Sequence, residues 1–311
     1  MFKKGYIYKD GIYVYPFGDK TVNKIQNFYK DDPFPNYEFN DDRTTIQKRG
    51  DANAYTYELK KYIGYGKKII EIGSGTCQLS NYLALGTNNT IVAFDANINS
   101  LRLGKKFSDK HGIKNVHFVC GDIFDDRIEN FSFDFVICNG VLHHTKNSFE
   151  AYKSCLKLLK KDGYILIGLY NSIGRTRTKI RGFLYKFFGK KYLLIFDPVL
   201  RKTDKLSTKK IDAWIKDQYV HPVERSHTFD EALYWFKKTN MKFVNSYPPC
   251  GFFKGMETKN HLESLFIMGN ESNLFERILS QIKMIFTKPG AEGGLFLFFA
   301  QKIFKSDKDL N

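Results

Sequence analysis

No stretch of eighteen consecutive apolar residues occurs in this chain, so no segment reads as a membrane-crossing helix. The opening residues, Met1 to Tyr6, carry two lysines but no apolar core, which argues against a secretory leader. A soluble, cytoplasmic protein is the expectation. Cysteine is scarce: Cys77, Cys120, Cys138, Cys155 and Cys250 are odd in number, scattered, and form no Cys-x-x-Cys pair. That pattern excludes a disulfide framework and leaves the thiols as reduced core residues. There is no internal repeat, and arginine supplies only 10 of the 49 basic residues.

What is present is a chain of 311 residues with 42% hydrophobic and 16% aromatic content, enough for one large α/β domain with elaborations or two small domains. The formal net charge of +16 suits an anionic partner, either nucleic acid or a membrane face. It also suits plain compositional bias, since the basic residues are mostly lysine beside abundant Asn, Ile, Phe and Tyr.

The stretch from Lys68 to Cys77 (KIIEIGSGTC) joins a short apolar run, an acidic residue and two glycines one residue apart. The run predicts a strand buried on both faces, and Leu79, Tyr82, Leu83 and then Gly86 predict a helix with a glycine stop. Such a strand, turn and helix place a ligand at the carboxyl end of a parallel sheet. A dinucleotide fingerprint needs a glycine where Gln78 stands, and no Gly-Lys-Ser/Thr phosphate loop occurs. Glu71 ends the first strand, Asp95 ends the second (Thr90 to Asp95), and Asp122 follows the third (Val116 to Cys120). Three carboxylates at one strand-end crevice would repel a pyrophosphate. They suit a ligand carrying an ammonium, a sulfonium and a ribose diol, which is S-adenosylmethionine.

Glu71-x-Gly-x-Gly, Asp95, Gly121-Asp122, the run Phe133 to Asn139 and the run Lys161 to Ile167 together resemble the successive motifs of class I S-adenosylmethionine-dependent methyltransferases, over roughly residues 60–170. The resemblance implies that Gly73 and Gly75 lie against the methionine moiety, that Asp95 takes the ribose hydroxyls, and that Asp122 sits by the adenine. Glu71 and Asn139 complete the expected cofactor set. Two positions depart from the family pattern: Cys77 replaces the usual third glycine, and Asp162-Gly163-Tyr164 replaces Pro-Gly-Gly. The expected fold is a doubly wound, Rossmann-like sheet of seven strands in the order 3-2-1-4-5-7-6, last strand antiparallel, with a helical cap insertion.

The division expected along the chain is an N-terminal aromatic-rich lid over residues 1–56, a cofactor-binding core over 57–170, a basic helical cap insertion over 171–226, and a C-terminal part completing the sheet over 227–311. In the first, Pro33-Phe34-Pro35-Asn36-Tyr37 forces an extended path, read either as a lid or as a surface loop pinned by its aromatics. Residues 171–216 hold 13 Lys and Arg against 3 Asp and Glu. There Ile180, Phe183, Leu184, Phe187 and Phe188 follow a helical period, fitting either a cap packed face-down or a helix on an anionic membrane surface or RNA. The pairing of Pro-Phe-Pro-Asn-Tyr with the later Tyr219, His221, Glu224, His227 cluster is similar to a group of bacterial methyltransferases of unassigned substrate.

The predicted function is methyl transfer to a small molecule, lipid-like or glycan-linked. The alternatives are an RNA methyltransferase using the basic insertion, and a non-catalytic binding protein on the same fold. The absence of Asp-Pro-Pro-Tyr lowers nucleobase amine methylation without excluding RNA. His143, Tyr170 and Asn171 are expected as the acceptor floor, and Tyr219, Glu224 and His227 as its roof. His144 or His221 is the expected base, because histidine titrates near neutrality. No metal is expected, since adjacent histidines point apart and no further ligand stands at helix spacing from them.

Overall fold

The apolar runs of this sequence are short and bounded by glycine, asparagine and aspartate, and they fold as strands. In the computed structural model, residues 1–16, 18, 37, 38, 40–202, 208–220, 223–253, 263–286 and 293–303 are described. The strands are β1 Ile7–Lys9, β2 Ile12–Val14, β3 Lys68–Ile72, β4 Thr90–Asp95, β5 Val116–Cys120, β6 Phe133–Asn139, β7 Leu159–Tyr170, β8 Met241–Tyr247 and β9 Leu295–Lys302. They form one mixed sheet in the order β1-β2-β5-β4-β3-β6-β7-β9-β8. Neighbours from β2 to β7 run parallel, and β9 runs antiparallel to both β7 and β8.

Both sheet faces are covered, which is why the central strands read as unbroken apolar runs. Helices α1 Arg43–Ala52, α2 Ala54–Ile63, α3 Gln78–Ala84 and α4 Ile98–Lys110 take one face, where Leu59, Leu83, Leu101 and Phe107 pack with Ile69 and Ile91. On the other, α5 Ser148–Leu158 and α8 Phe229–Lys238 bring Tyr152, Leu156, Trp235 and Phe236 onto Ile70, Val136 and Phe298. Asn147 caps α5 by accepting from the Phe149 and Glu150 amides, and Thr228 caps α8 by accepting from the Glu231 amide.

Nine strands replace the expected seven because the N-terminal residues join the sheet. Asp10 and Gly11 both adopt positive φ (53° and 75°), the turn that matches strand twist in a two-residue hairpin, and β2 then pairs with β5. The first sixteen residues are therefore sheet edge, while Pro33 to Asn36 lie outside the described residues. Tyr37 stacks on Phe107 with ring centroids 4.7 Å apart, and its hydroxyl accepts from Asn81 Nδ2. β7 follows its helix without a loop: α5 stops at Leu158, and the wholly buried Leu159 already pairs with Phe133.

The insertion forms two helices, α6 Thr176–Phe196 and α7 Thr208–Tyr219, around a small core of Leu193, Leu200, Trp214 and Ile215. The stripe of α6 does not pack inward. The helix breaks at Gly189 (φ 68°, ψ −166°) and buries Thr178 and Leu193, which turns Ile180, Phe183, Phe187 and Phe188 outward. After β8, α9 Leu274–Phe286 sets its buried Ser280, Gln281 and Met284 inward.

The glycine turn is braced from α4. Cys77 takes the left-handed conformation (φ 62°) at the start of α3, a conformation glycine adopts more readily. Its side chain fits because residue 104 is glycine: a Cβ there would meet Cys77 at 2.6 Å and the Thr76 carbonyl at 2.7 Å. Gly104→Ala is expected to lower stability by about 1–3 kcal/mol through overpacking, read as a shift in the urea unfolding midpoint. An unchanged midpoint would show that the turn yields freely at this point.

Candidate functional site

The end of β3 turns through Gly73 (φ 70°) and Gly75 (φ 52°), both in the left-handed region. Gly73 and Ser74 donate their amides to the Phe94 carbonyl at 2.8 and 3.1 Å, which fastens the turn to β4. At Gly73 a Cβ would lie 2.1 Å from Val141 Cγ2, so no side chain fits between the turn and the residues after β6. Chain packing thus requires glycine here, and the result is half-buried backbone free of side chains at the carboxyl edge of the sheet.

Asp95 faces that turn. Its carboxylate accepts from the Gly75 amide at 2.8 Å and the Asn97 amide at 2.7 Å, and burial nonetheless pushes its pKa above the usual carboxylate range. Glu71 lies deeper: Ser80 Oγ donates to it at 2.5 Å, and burial raises its carboxyl to about 8. The Gly121 amide donates to the Asp95 carbonyl at 3.1 Å, which sets the buried Asp122 beside Asp95. One Asp122 oxygen accepts from the Phe124 amide at 3.0 Å. The structure thus brings Gly73, Gly75, Glu71, Asp95 and Asp122 to the ends of three adjacent strands.

Two buried polar atoms in this region have no hydrogen-bond partner among the described residues, Asn139 Oδ1 at the end of β6 and Asn97 Nδ2 just after β4. Asn97 was not singled out from the sequence. Its Oδ1 caps α4 by accepting from the Asn99 and Ser100 amides, so the signal was a capping asparagine two residues beyond the strand-end acid.

A second group of residues gathers after β6 and β7. His143 and His144 sit in a buried single turn, Leu142–His144. A carbonyl oxygen only accepts, so the 2.7 Å contact of His144 Nδ1 with the Val223 carbonyl places the hydrogen on Nδ1 and makes Nε2 the basic nitrogen. Burial, the largest cause, lowers its pKa to about 4. His143 stacks on Tyr170 with centroids 3.9 Å apart, and the Arg175 guanidinium carbon lies 3.6 Å from the same centroid. Two groups that close cannot share one face of a ring, so Tyr170 is held between them. Gln218 Nε2 donates to the Tyr170 hydroxyl at 3.1 Å.

Arg175, only 1% exposed, was likewise not singled out from the sequence. It donates to Glu224 through Nε and Nη2 (3.2 and 2.9 Å), to Gln218 and to the Gly293 carbonyl. Nothing marks it within a basic run; only its fully buried place does.

Other expected acceptor residues serve the frame. Asn171 accepts from the Ile173 and Gly174 amides and donates to Gln281, and His227 contacts Ser148 Oγ at 3.0 Å and a Glu231 carboxylate oxygen at 2.9 Å. These two pair through backbone as a short parallel bridge, and the chain from Val223 to His227 crosses the ends of β6 and β7. Tyr219 turns away into the insertion, where it donates to Asp197 at 2.5 Å and accepts from Arg181. His221 lies outside the described residues. Among the described residues no group of three or more His, Cys, Asp or Glu could hold a metal ion.

Residues 63–188 match the model of a methyltransferase domain family. An uncharacterized protein of Synechococcus sp. is 23% identical over 198 residues, covering 57% of this chain and 48% of that protein. Demethylmenaquinone methyltransferase of Staphylococcus haemolyticus is 29% identical over 107 residues, 34% of this chain and 44% of that protein. The chain thus spans about half the length of the curated relatives it matches. Among solved structures, PKMT2 from Rickettsia typhi in complex with AdoHcy shares the fold with a TM-score of 0.56 at 15% identity, covering 76% of this chain and 49% of that one.

The raised Glu71 pKa has a stability consequence of definite sign. Its ordinary value is 4.5 and its folded value about 8, so the folded protein holds a proton that the unfolded chain gives up. The stability this contributes is fully present below pH 4.5 and is lost as pH rises through about 8. The melting temperature is therefore expected to fall across that window, and Glu71→Gln, which cannot titrate, to flatten the decline. A variant tracking the wild-type slope would assign the proton to another group.

Proposed function

We propose, for a chain that carries a methyltransferase domain over residues 63–188, that it transfers a methyl group from S-adenosylmethionine to a small molecule of lipid-like or glycan-linked character. The observation that carries this reading is the glycine turn packed against Val141, its Gly75 amide donating to the half-buried Asp95. The residues fit the group: Gly73, where a Cβ would meet Val141, keeps side chains out of the turn, and Asn97 Nδ2, two residues beyond Asp95, is buried without a partner among the described residues. Gly73 and Gly75 would lie along the methionine part, Asp95 would take the ribose hydroxyls, and Asp122 and Asn139 would flank the rest. Glu71, whose carboxyl burial holds protonated up to about pH 8, would lie beneath it and give up its proton as the cationic ligand binds.

Bound S-adenosylmethionine supplies an electrophilic methyl on a sulfonium. The chain's own contribution is alignment and exclusion of water. The strap from Val223 to His227 crosses the strand ends, Tyr170 is fixed between His143 and Arg175, and in this reading His143, His144 and Tyr170 would form the acceptor floor. Where the acceptor is a hydroxyl, His144 Nε2 would take its proton, and Nδ1 is already oriented by the Val223 carbonyl. His221 is the second candidate for that role.

Calorimetry with S-adenosylmethionine and with NAD tests the cofactor. Binding of NAD alone overturns the reading, and Asp95→Ala is expected to weaken S-adenosylmethionine by roughly 1–3 kcal/mol through lost charged hydrogen bonds. Mass spectrometry of metabolites and lipids from cells with and without the protein seeks the one-methylene mass difference that names the acceptor. Release of S-adenosylhomocysteine in extract separates turnover from binding alone.

The lowered His144 pKa fixes a pH profile. A base with a pKa of about 4 is already deprotonated across the neutral range, so the acid limb of kcat/KM is expected near 4. His144→Ala should lower kcat and remove that limb. A limb at the ordinary histidine value, unaffected by His144→Ala, would transfer the role to His221.

A further inference from the structure

The feature that the methyl-transfer reading leaves unused is the outer face of α6. Its 21 residues include Arg177, Lys179, Arg181, Lys186, Lys190 and Lys191 and contain no acidic residue. Phe183, Phe187 and Phe188 are 59%, 69% and 65% exposed, and Ile180, Ile195 and Phe196 are exposed as well. Positions 180, 183 and 187 share one helical face, and the rings of Phe183 and Phe187 meet edge-on at 5.1 Å. The opposite side is fastened down by the buried Leu193, by Arg181 donating to Tyr219, and by Lys190 paired with Asp212. The outer face therefore cannot roll inward to hide its aromatics without losing those contacts.

We propose that this face docks the protein on the surface of an anionic lipid bilayer, with the phenylalanines entering the boundary between headgroups and acyl chains and the lysines on lipid phosphates. Among the described residues no helix is long and apolar enough to cross a membrane. A basic helix with an aromatic face lies in the interface plane instead, where both apolar burial and attraction to anionic lipid contribute. RNA would satisfy the charges, but Ile180 and Ile195 neither stack on bases nor gain from a phosphate backbone. A second copy of this chain would set six cations against six with no acid on either helix. Arg177 donates to the Ile285 carbonyl, which joins the end of α9 and its exposed Phe286 to the same patch. The proposal rests on this surface and not on the reaction.

Co-sedimentation of the full chain with vesicles tests it, using phosphatidylcholine alone and phosphatidylcholine with phosphatidylglycerol in equal parts. Binding is expected to the anionic vesicles, weakening with salt. The pair Phe187→Ser and Phe188→Ser, and separately the pair Lys186→Glu and Lys191→Glu, should each lose about tenfold or more in affinity, the size expected from apolar burial and from lipid charge. All four side chains are exposed, so an unchanged thermal melt accompanies the loss. The proposal is overturned if the chain stays in the supernatant with both vesicles, or if the phenylalanine pair leaves vesicle binding intact. Binding confined to a single-stranded RNA homopolymer, or self-association that the phenylalanine pair abolishes with no vesicle binding, overturns it equally.

Discussion

A buried arginine holds the upper half of this molecule together. Arg175 sits at the junction of β7 and α6, and a charge so placed destabilises a fold unless neighbouring groups compensate it. Glu224 supplies the opposite charge, Gln218 and Gly293 accept further hydrogen bonds, and the Tyr170 ring takes the remaining face. Those partners come from the end of β7, the end of α7, the strap after it and the approach to β9. Placing one guanidinium therefore fixes four separate pieces of chain, and with them the stack of His143 on Tyr170.

The lower half depends on a different constraint, exclusion of side chains. Gly73 cannot carry a Cβ because Val141 occupies the place, and Gly104 cannot because Cys77 does. The two contacts pull in the same direction: one sets the turn against β6 and the other sets it against α4. Asp95 completes the arrangement by accepting from the Gly75 amide, so the acid that ends β4 also fixes the backbone it faces. Val141 leads directly into His143 and His144, and this short link is what brings the glycine turn and the histidine turn to adjacent ground.

Much of this was legible in the residues because burial leaves a period. The parallel strands were readable as unbroken apolar runs, and α5 and α8 as capped amphipathic stretches, since Asn147 and Thr228 stand at capping positions. The hairpin at Asp10-Gly11 carried a readable signal that went unused because its strands are three residues each. For α6 the period was readable and the direction was not: periodicity shows that a face exists, while the break at Gly189 and the core around Leu193 decide which way it points. Arg175 was illegible for the opposite reason. Its side-chain hydrogen-bond partners are more than forty positions distant, and sequence spacing says nothing about a charge that only tertiary contacts can compensate.

The two halves of the candidate site differ in how their polar groups are used, and that difference bears on specificity. Around the histidines, Asn171, His227 and Tyr219 spend their hydrogen bonds on the frame itself. At the strand ends, Asn97 Nδ2 just after β4 and Asn139 Oδ1 against Gly168 of β7 are buried without a partner among the described residues, at a cost of about 1–3 kcal/mol each. A fold that carries such a cost at its strand ends keeps there a capacity for directional recognition. On the histidine side, what the packing offers is the stacked Tyr170 and His143 and a base whose charge burial suppresses. Those rings are buried and packed on each other, so the shape of this side is fixed by the fold itself.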